Sequence, residues 1–161
     1  MSTTAAIRAL RAAGVDFQLH PYRYEPRGGT RVSARELGVD EHAIVKTIVL
    51  EDDQHRLLLV LMHGDRDVST KALARILGVK RVAPAGATAA QRATGYQFGG
   101  TSPFGTRHGI QTYVERTILQ LPRLYINGGA RGLLVSLTPD VLVDVLGAIP
   151  VDVASGPSLR C

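Results

Sequence analysis

Apolar and polar side chains alternate through residues 44–51. Ile44, Lys46, Ile48 and Leu50 share one face of an extended chain, and Val45, Thr47 and Val49 share the other. A second apolar run over 56–62 follows Asp52, Asp53, Gln54 and His55, so the two segments predict a β-hairpin. Other segments follow the helical period. Ile7, Leu10 and several alanines predict a helix over 3–13 that Gly14 stops. Leu73, Ile76 and Leu77 form one stripe of a helix started by Ser69 or Thr70 and ended by Gly78. Residues 87–94 predict a further helix ended by Gly95. Residues 23–31, with Pro26, Gly28 and Gly29, read as a surface loop, after which Ser33 is expected to cap a short helix through Leu37. A last helix is expected over 139–146, with Thr138 as cap and Pro139 in its first turn. Short extended pieces are expected at 17–19, 81–82, 112–114, 123–126 and 133–137, and a loop over 98–110. This order lacks regular β-α-β alternation and predicts one α+β domain with a mixed, curved sheet and peripheral helices.

Composition narrows the classes. The chain has 161 residues, enough for one domain with a real core. It has no tryptophan and few aromatics, which argues against a multi-ring stacking platform of the RRM type. The longest apolar run, 57–62, is too short to cross a bilayer, and the first residues lack the apolar core of a secretory signal. A cytoplasmic protein is therefore expected. The single cysteine, Cys161, follows a polar stretch and is a poor candidate nucleophile. A net charge of +5 suits an anionic partner, nucleic acid included.

A search for chemistry finds little in the usual places. His20, His42, His55, His63 and His108 show no metal-ligand spacing, so no metal is expected. There is neither a nucleophile elbow nor a phosphate-binding P-loop motif. Two glycine clusters remain, at 95–105 and 126–137. Gly99 and Gly100 can adopt backbone angles closed to other residues and aim several amides at one oxygen, with Pro103 stiffening the turn. Gly128, Gly129 and Gly132 let the backbone come close to a neighbour; tight turns serving only the sheet are the plainer reading. Lys46 could reach water at the edge of its strand. Alternatively it lines a cleft floored by the sheet, where its ammonium requires a partner.

Four segments, in this order, carry a resemblance: LHPY at 19–22, VKTIV at 45–49, AQRATGYQFGGTSPFG at 90–105 and YINGGARGLLVSL at 125–137. Together they resemble the YbaK/EbsC family of free-standing aminoacyl-tRNA deacylases, relatives of the editing domain inserted in bacterial prolyl-tRNA synthetase. The resemblance spans residues 7–153. It implies a single compact α+β domain with a mixed, barrel-like sheet and peripheral helices. It implies a deacylase domain over 1–155 and a disordered tail over 156–161. It also implies hydrolysis of the ester of a mischarged aminoacyl-tRNA, most often Cys-tRNA(Pro), with no metal or cofactor. In that family the substrate thiol is proposed to attack its own ester.

By position, the resemblance makes Lys46 the residue that holds the RNA terminus, and gives the carbonyl to the backbone of Gly99, Gly100, Thr101, Ser102 and Pro103. Tyr22, Thr47, Gly128 and Gly129 would line the substrate site. The expected partners are the acceptor end of an aminoacyl-tRNA and prolyl-tRNA synthetase. Leu134 stands where one subgroup has an acid, and Gly29 where that subgroup has an aromatic. A more apolar pocket would take alanine or another small side chain. The rival readings are a non-catalytic module that binds tRNA or a synthetase, and a protein acting on a small nucleotide-linked acyl compound. Lys71, Lys80, Arg81, Arg92, Arg107 and Arg131 lie near the motifs and could meet RNA phosphates.

Overall fold

A computed structural model describes residues 3–157. Its sheet runs β1 (Gln18–Pro21), β8 (Leu133–Leu137), β7 (Leu124–Ala130), β2 (Ile44–Asp52), β3 (Leu57–His63), β6 (Gln111–Glu115) and β9 (Ile149–Val151), with β5 (Val82–Pro84) on the far end of β2. Among the described residues this path is open, ending at β1 and β9. The β2–β7, β3–β6 and β6–β9 pairs are parallel and the others antiparallel, so the sheet is mixed. A separate ribbon joins β4 (Arg66–Val68) to β10 (Ala154–Pro157).

Five helices surround the sheet: α1 (Ala5–Ala12), α2 (Gly29–Leu37), α3 (Thr70–Leu77), α4 (Ala87–Thr94) and α5 (Asp140–Asp144). None is long and apolar enough to cross a membrane. The architecture is the expected α+β domain. Thr4 caps α1 and Ser69 caps α3 through their side-chain oxygens, and glycines in the left-handed region end α2, α3 and α4.

The alternation along β2 sorts its side chains onto two differently packed faces. Val45 joins Leu61, Val114, Ile126 and Val135 in the largest core cluster, beneath α1 and α5. On the other face Ile44 packs with Leu134 and Ala34 of α2, while Leu50 packs with Val60, Met62 and Leu73 of α3. Lys46 lies on this second face, opposite Met62, between the two clusters.

Several expected boundaries move. Helix α2 begins at Gly29, inside the expected loop, and Ser33 is not its cap. Ser33 is buried within the helix, where its hydroxyl donates to the Thr30 carbonyl. The entry is fixed from outside, by Thr30 Oγ1 donating to Glu41 and to the Gly64 carbonyl. Helix α5 is shorter than expected, and neither Thr138 nor Pro139 caps it through a side chain. The expected tail begins inside β10, where Pro157 pairs with Arg66. Its remainder, 158–161 with Cys161, lies outside the described residues.

Candidate active site

Strands β2 and β7 run parallel for only two paired positions, Ile44 with Tyr125 and Val45 with Ile126. Strand β5 then takes up the same edge of β2 at Leu50. The next residues beyond the last β2–β7 pair are Lys46 and Asn127. Both project to the face that carries Ile44 and Tyr125. Neighbouring strands lie about 5 Å apart where they pair, so the two residues start from adjoining points and border the opening between β7 and β5.

The Lys46 side chain is about one-fifth exposed, and its ammonium has partners within the protein. It lies 3.4 Å from the Gly64 carbonyl and 3.5 Å from a carboxylate oxygen of Asp67. Asp67 comes from β4, 21 residues downstream, and nothing in sequence spacing marks it.

Asn127 ties the glycine loop to the sheet. Its Nδ2 donates to the Gly99 carbonyl at 3.2 Å, while its Oδ1 accepts from the amides of Gly129 and Ala130. A second tie runs from Arg131 Nε to the Phe98 carbonyl at 2.9 Å. Glycine is required at both loop positions that touch this hairpin. Gly99 has a φ of +87°, and a Cβ there would fall 2.7 Å from the Tyr24 hydroxyl; a Cβ on Gly100 would fall 2.9 Å from the Arg131 amide nitrogen.

Within the loop, Gly100 N donates to the Gln97 carbonyl and Phe104 N to Ser102 Oγ. The amides of Gly99, Thr101 and Ser102 find no acceptor among the described residues. Ser102 is fully buried, so the amides of this set on accessible residues are those of Gly99 and Thr101. Ser102 Oγ is committed to the loop and Pro103 is buried beside it, so what this turn offers a ligand is backbone.

The remaining expected residues divide. Tyr22 packs on the Lys46 face with Ile44, Ala34 and Leu134, its amide donating to Gly132, and burial pushes its phenol up. Thr47 points to the opposite face of β2. Its hydroxyl is buried with no hydrogen-bond partner among the described residues. Gly128 and Gly129 face α1. The Thr4 hydroxyl donates to the Gly128 carbonyl, and a Cβ on Gly129 would lie 3.0 Å from atoms of Thr4 and Tyr96. Close packing thus accounts for both glycines without a ligand.

Folding also gathers three residues that spacing does not connect. One metal-capable atom each of His42, His63 and Asp65 lies within 4.8 Å of the others. The arrangement is built from hydrogen bonds. Asp65 meets His42 Nδ1 at 2.8 Å; His63 Nδ1 meets the His42 carbonyl, and His63 Nε2 the Thr117 hydroxyl, each at 2.7 Å. The two imidazoles stack 3.7 Å apart, 7° from parallel, which sets their in-plane lone pairs side by side rather than toward one point.

The domain is a mixed α+β fold with a largely buried lysine at the edge where β2 parts from β7, and a glycine turn tied to Asn127 at that same edge. Residues 25–145 match the aminoacyl-tRNA editing domain family, and the chain belongs to that family. It is 24% identical over 143 residues to EbsC of Enterococcus faecalis, provisionally assigned as a Cys-tRNA(Pro)/Cys-tRNA(Cys) deacylase; the match covers 88% of this chain and 87% of that one. The fold is similar to that of the hypothetical protein APE2540, with a TM-score of 0.85, 28% identity, and 94% and 99% of the two chains covered. It is also similar to that of a provisionally assigned trans-editing enzyme for prolyl-tRNA synthetase, with a TM-score of 0.82, 23% identity, and 97% and 100% covered.

Proposed function

We propose that this chain is a free-standing aminoacyl-tRNA deacylase that hydrolyses the ester between a wrongly attached small amino acid and the 3′ end of tRNA. The observation that carries the reading is the turn at 99–102: the amides of Gly99 and Thr101 have no internal acceptor among the described residues, on a loop held from the sheet by Asn127 and Arg131. Donors fixed in advance near a reacting carbonyl stabilise the oxyanion that forms there, and removing one typically costs about 100- to 1000-fold in rate.

Lys46 holds the RNA terminus in this reading, with Asp67 setting where its ammonium sits before substrate arrives. Tyr22 and Leu134 supply an apolar wall on the same face, and the unpartnered Thr47 hydroxyl marks a buried polar point behind it. The leading substrate is Cys-tRNA(Pro). There the thiol sulfur bonds to its own ester carbon, the ester C–O bond breaks, and the ribose oxygen leaves with the thiol proton; water then opens the resulting thiolactone. Protein groups need only orient and stabilise, and no metal takes part. Prolyl-tRNA synthetase is the expected docking partner.

Alanine is the second substrate, favoured by one observation. Leu134, 4% exposed, faces the Lys46 side of the sheet, where an acid would have suited a more polar side chain. A pocket that sorts by size separates such residues by only about 1–3 kcal/mol per methylene.

The test is a panel of purified tRNA(Pro) charged with cysteine, alanine or proline, and tRNA(Cys) charged with cysteine, each compared with a short aminoacyl-adenosine. Selective hydrolysis of cysteine from tRNA(Pro) is expected. Preference for alanine would move the assignment to the second substrate. Indifference to the RNA beyond the terminal nucleoside would favour a small acyl-nucleotide hydrolase, and no hydrolysis of any ester would leave a binding module.

A further inference from the structure

We propose that Phe98, flanked by Arg131 and Tyr24, is a stacking platform for an unpaired base at the 3′ end of the RNA. This rests on the reading of the substrate as aminoacyl-tRNA and assigns that substrate a subsite outside the ester-handling turn. Phe98 is 78% exposed, well beyond the next most exposed large apolar side chain among the described residues, Ile76 at 51%. Exposed to this degree, the ring offers a whole face for a partner to stack on.

The ring is carried on a pinned backbone rather than a loose loop. Its own carbonyl accepts from Arg131 Nε at 2.9 Å, the next carbonyl accepts from Asn127 at 3.2 Å, and Gly100 N closes the turn onto Gln97 at 2.9 Å. A platform fixed in place loses little freedom when it binds. The same guanidinium lies over the Tyr24 ring, 5.5 Å from its centroid, which sets a planar cation next to the platform. Unpaired nucleotides are held by this pairing of parts, with bases stacking on aromatic or guanidinium planes and phosphates meeting fixed positive charge.

A protein partner fits the patch less well. Phe98 is not part of a continuous apolar surface, since Gln97, Gly99 and Arg131 surround it. The other exposed apolar residues, Leu19, Ile76, Val143, Val145 and Ile149, lie on other elements. The scarcity of aromatics that argues against a multi-ring platform leaves room for a single ring serving a single base.

The experiment compares Phe98→Ala, Phe98→Leu and Phe98→Trp with wild type. It measures kcat and KM on the charged tRNA that wild type hydrolyses, and Kd for uncharged tRNA with and without its unpaired 3′ nucleotides. Loss of one stacked base weakens binding by about 5- to 150-fold. Phe98→Ala and Phe98→Leu are expected to raise KM and Kd by that factor with kcat changed less than about threefold. Phe98→Trp is expected to match wild type, and trimmed tRNA to bind wild type and Phe98→Ala alike. Wild-type Kd in Phe98→Ala, equal performance of Leu and Trp, or a defect that persists on trimmed tRNA would each overturn the proposal. A wild-type protein that hydrolyses no charged tRNA would instead overturn the deacylase reading, and the uncharged-tRNA arm then judges Phe98 alone. Thermal melts of all three variants, expected to equal wild type, separate loss of the ring from loss of the fold.

Discussion

Lys46 can sit among aliphatics because folding supplies two oxygens for its ammonium, the Gly64 carbonyl and an Asp67 carboxylate, while leaving it partly exposed. Under the proposed function the residue would exchange or share those partners with an anionic ligand. Lys46→Ala is expected to lower the rate of ester hydrolysis roughly 100-fold or more. Its melting temperature is expected to fall by only a few degrees, because an incompletely buried ion pair contributes about 1 kcal/mol or less. Hydrolysis at the wild-type rate by a folded Lys46→Ala protein would remove the lysine from the mechanism. The alternation around Lys46 was legible in sequence. Asp67 was not, because its position depends on how the chain turns between β3 and β4.

His63 and Glu115 make a second residue-scale case. Burial, opposed by the neighbouring acids, holds the His63 imidazole below its ordinary value. Its Nδ1–H donates to the His42 carbonyl, and its Nε2 lies 2.7 Å from the Thr117 hydroxyl. Burial pushes the Glu115 carboxyl upward. Hydrogen bonds from the amides of Val153, Thr117 and Ala154 and from the Thr117 hydroxyl outweigh this and leave it below the usual range. Both groups bind protons more readily in the unfolded chain, so stability rises with pH across their titrations. The His63 contribution is complete above the unfolded value of 6.5 and is lost as pH falls; that of Glu115 is lost below about 4.5. Denaturation midpoints are expected to drop between pH 7 and pH 5, and again toward pH 4. A His63→Asn variant is expected to flatten the first drop; an unchanged pH profile in that variant would assign it to other groups.

At the scale of elements, the glycine clusters divide by what they touch. The 99–102 turn leaves the amides of Gly99 and Thr101 without an internal acceptor among the described residues, whereas Gly129, with φ +97°, lets β7 pass close to Thr4 and Tyr96. Gly129→Ala is expected to destabilise the fold by about 1–3 kcal/mol, read as a lower denaturation midpoint. Hydrolysis per folded molecule should remain near wild type, and a selective loss of activity instead would return Gly129 to the substrate wall.

The hairpin of β2 and β3, helices α1 and α3, and the glycine stops could be read from period and punctuation. The start of α2 could not, because what fixes it is Thr30 reaching Glu41 and Gly64 rather than a local cap. Strands β4, β9 and β10 span three or four residues each, too few to show an alternation. The loop was singled out by its glycines and the resemblance they carry. Its anchors, Asn127 and Arg131, were not, since each bond joins residues about 30 positions apart.

For the whole molecule, the positive balance of +5 bears on how RNA is met. Arg92 and Arg107 flank a shallow groove with Thr88, Gln91 and Gly95, just before and after the glycine loop. Affinity for tRNA is expected to fall as salt rises. Replacing both arginines by alanine should reduce the slope of log K against log salt by about 1.5 to 2, if each meets one phosphate. A slope unchanged by the double substitution would direct the RNA elsewhere on the surface.

The short parallel contact of β2 with β7 has a mechanical consequence. Among the described residues, the pairs Ile44 with Tyr125 and Val45 with Ile126 form the strand-pairing seam between the wing of β1, β8 and β7 and the rest of the sheet. Side-chain packing around Ile126 and Val135 holds the wings together across it. A small spreading along that seam would widen the space beside Lys46 without unzipping either wing, so under the proposed function the packing of Val45, Ile126 and Val135 on the opposite face would set how large an acyl group the opening admits.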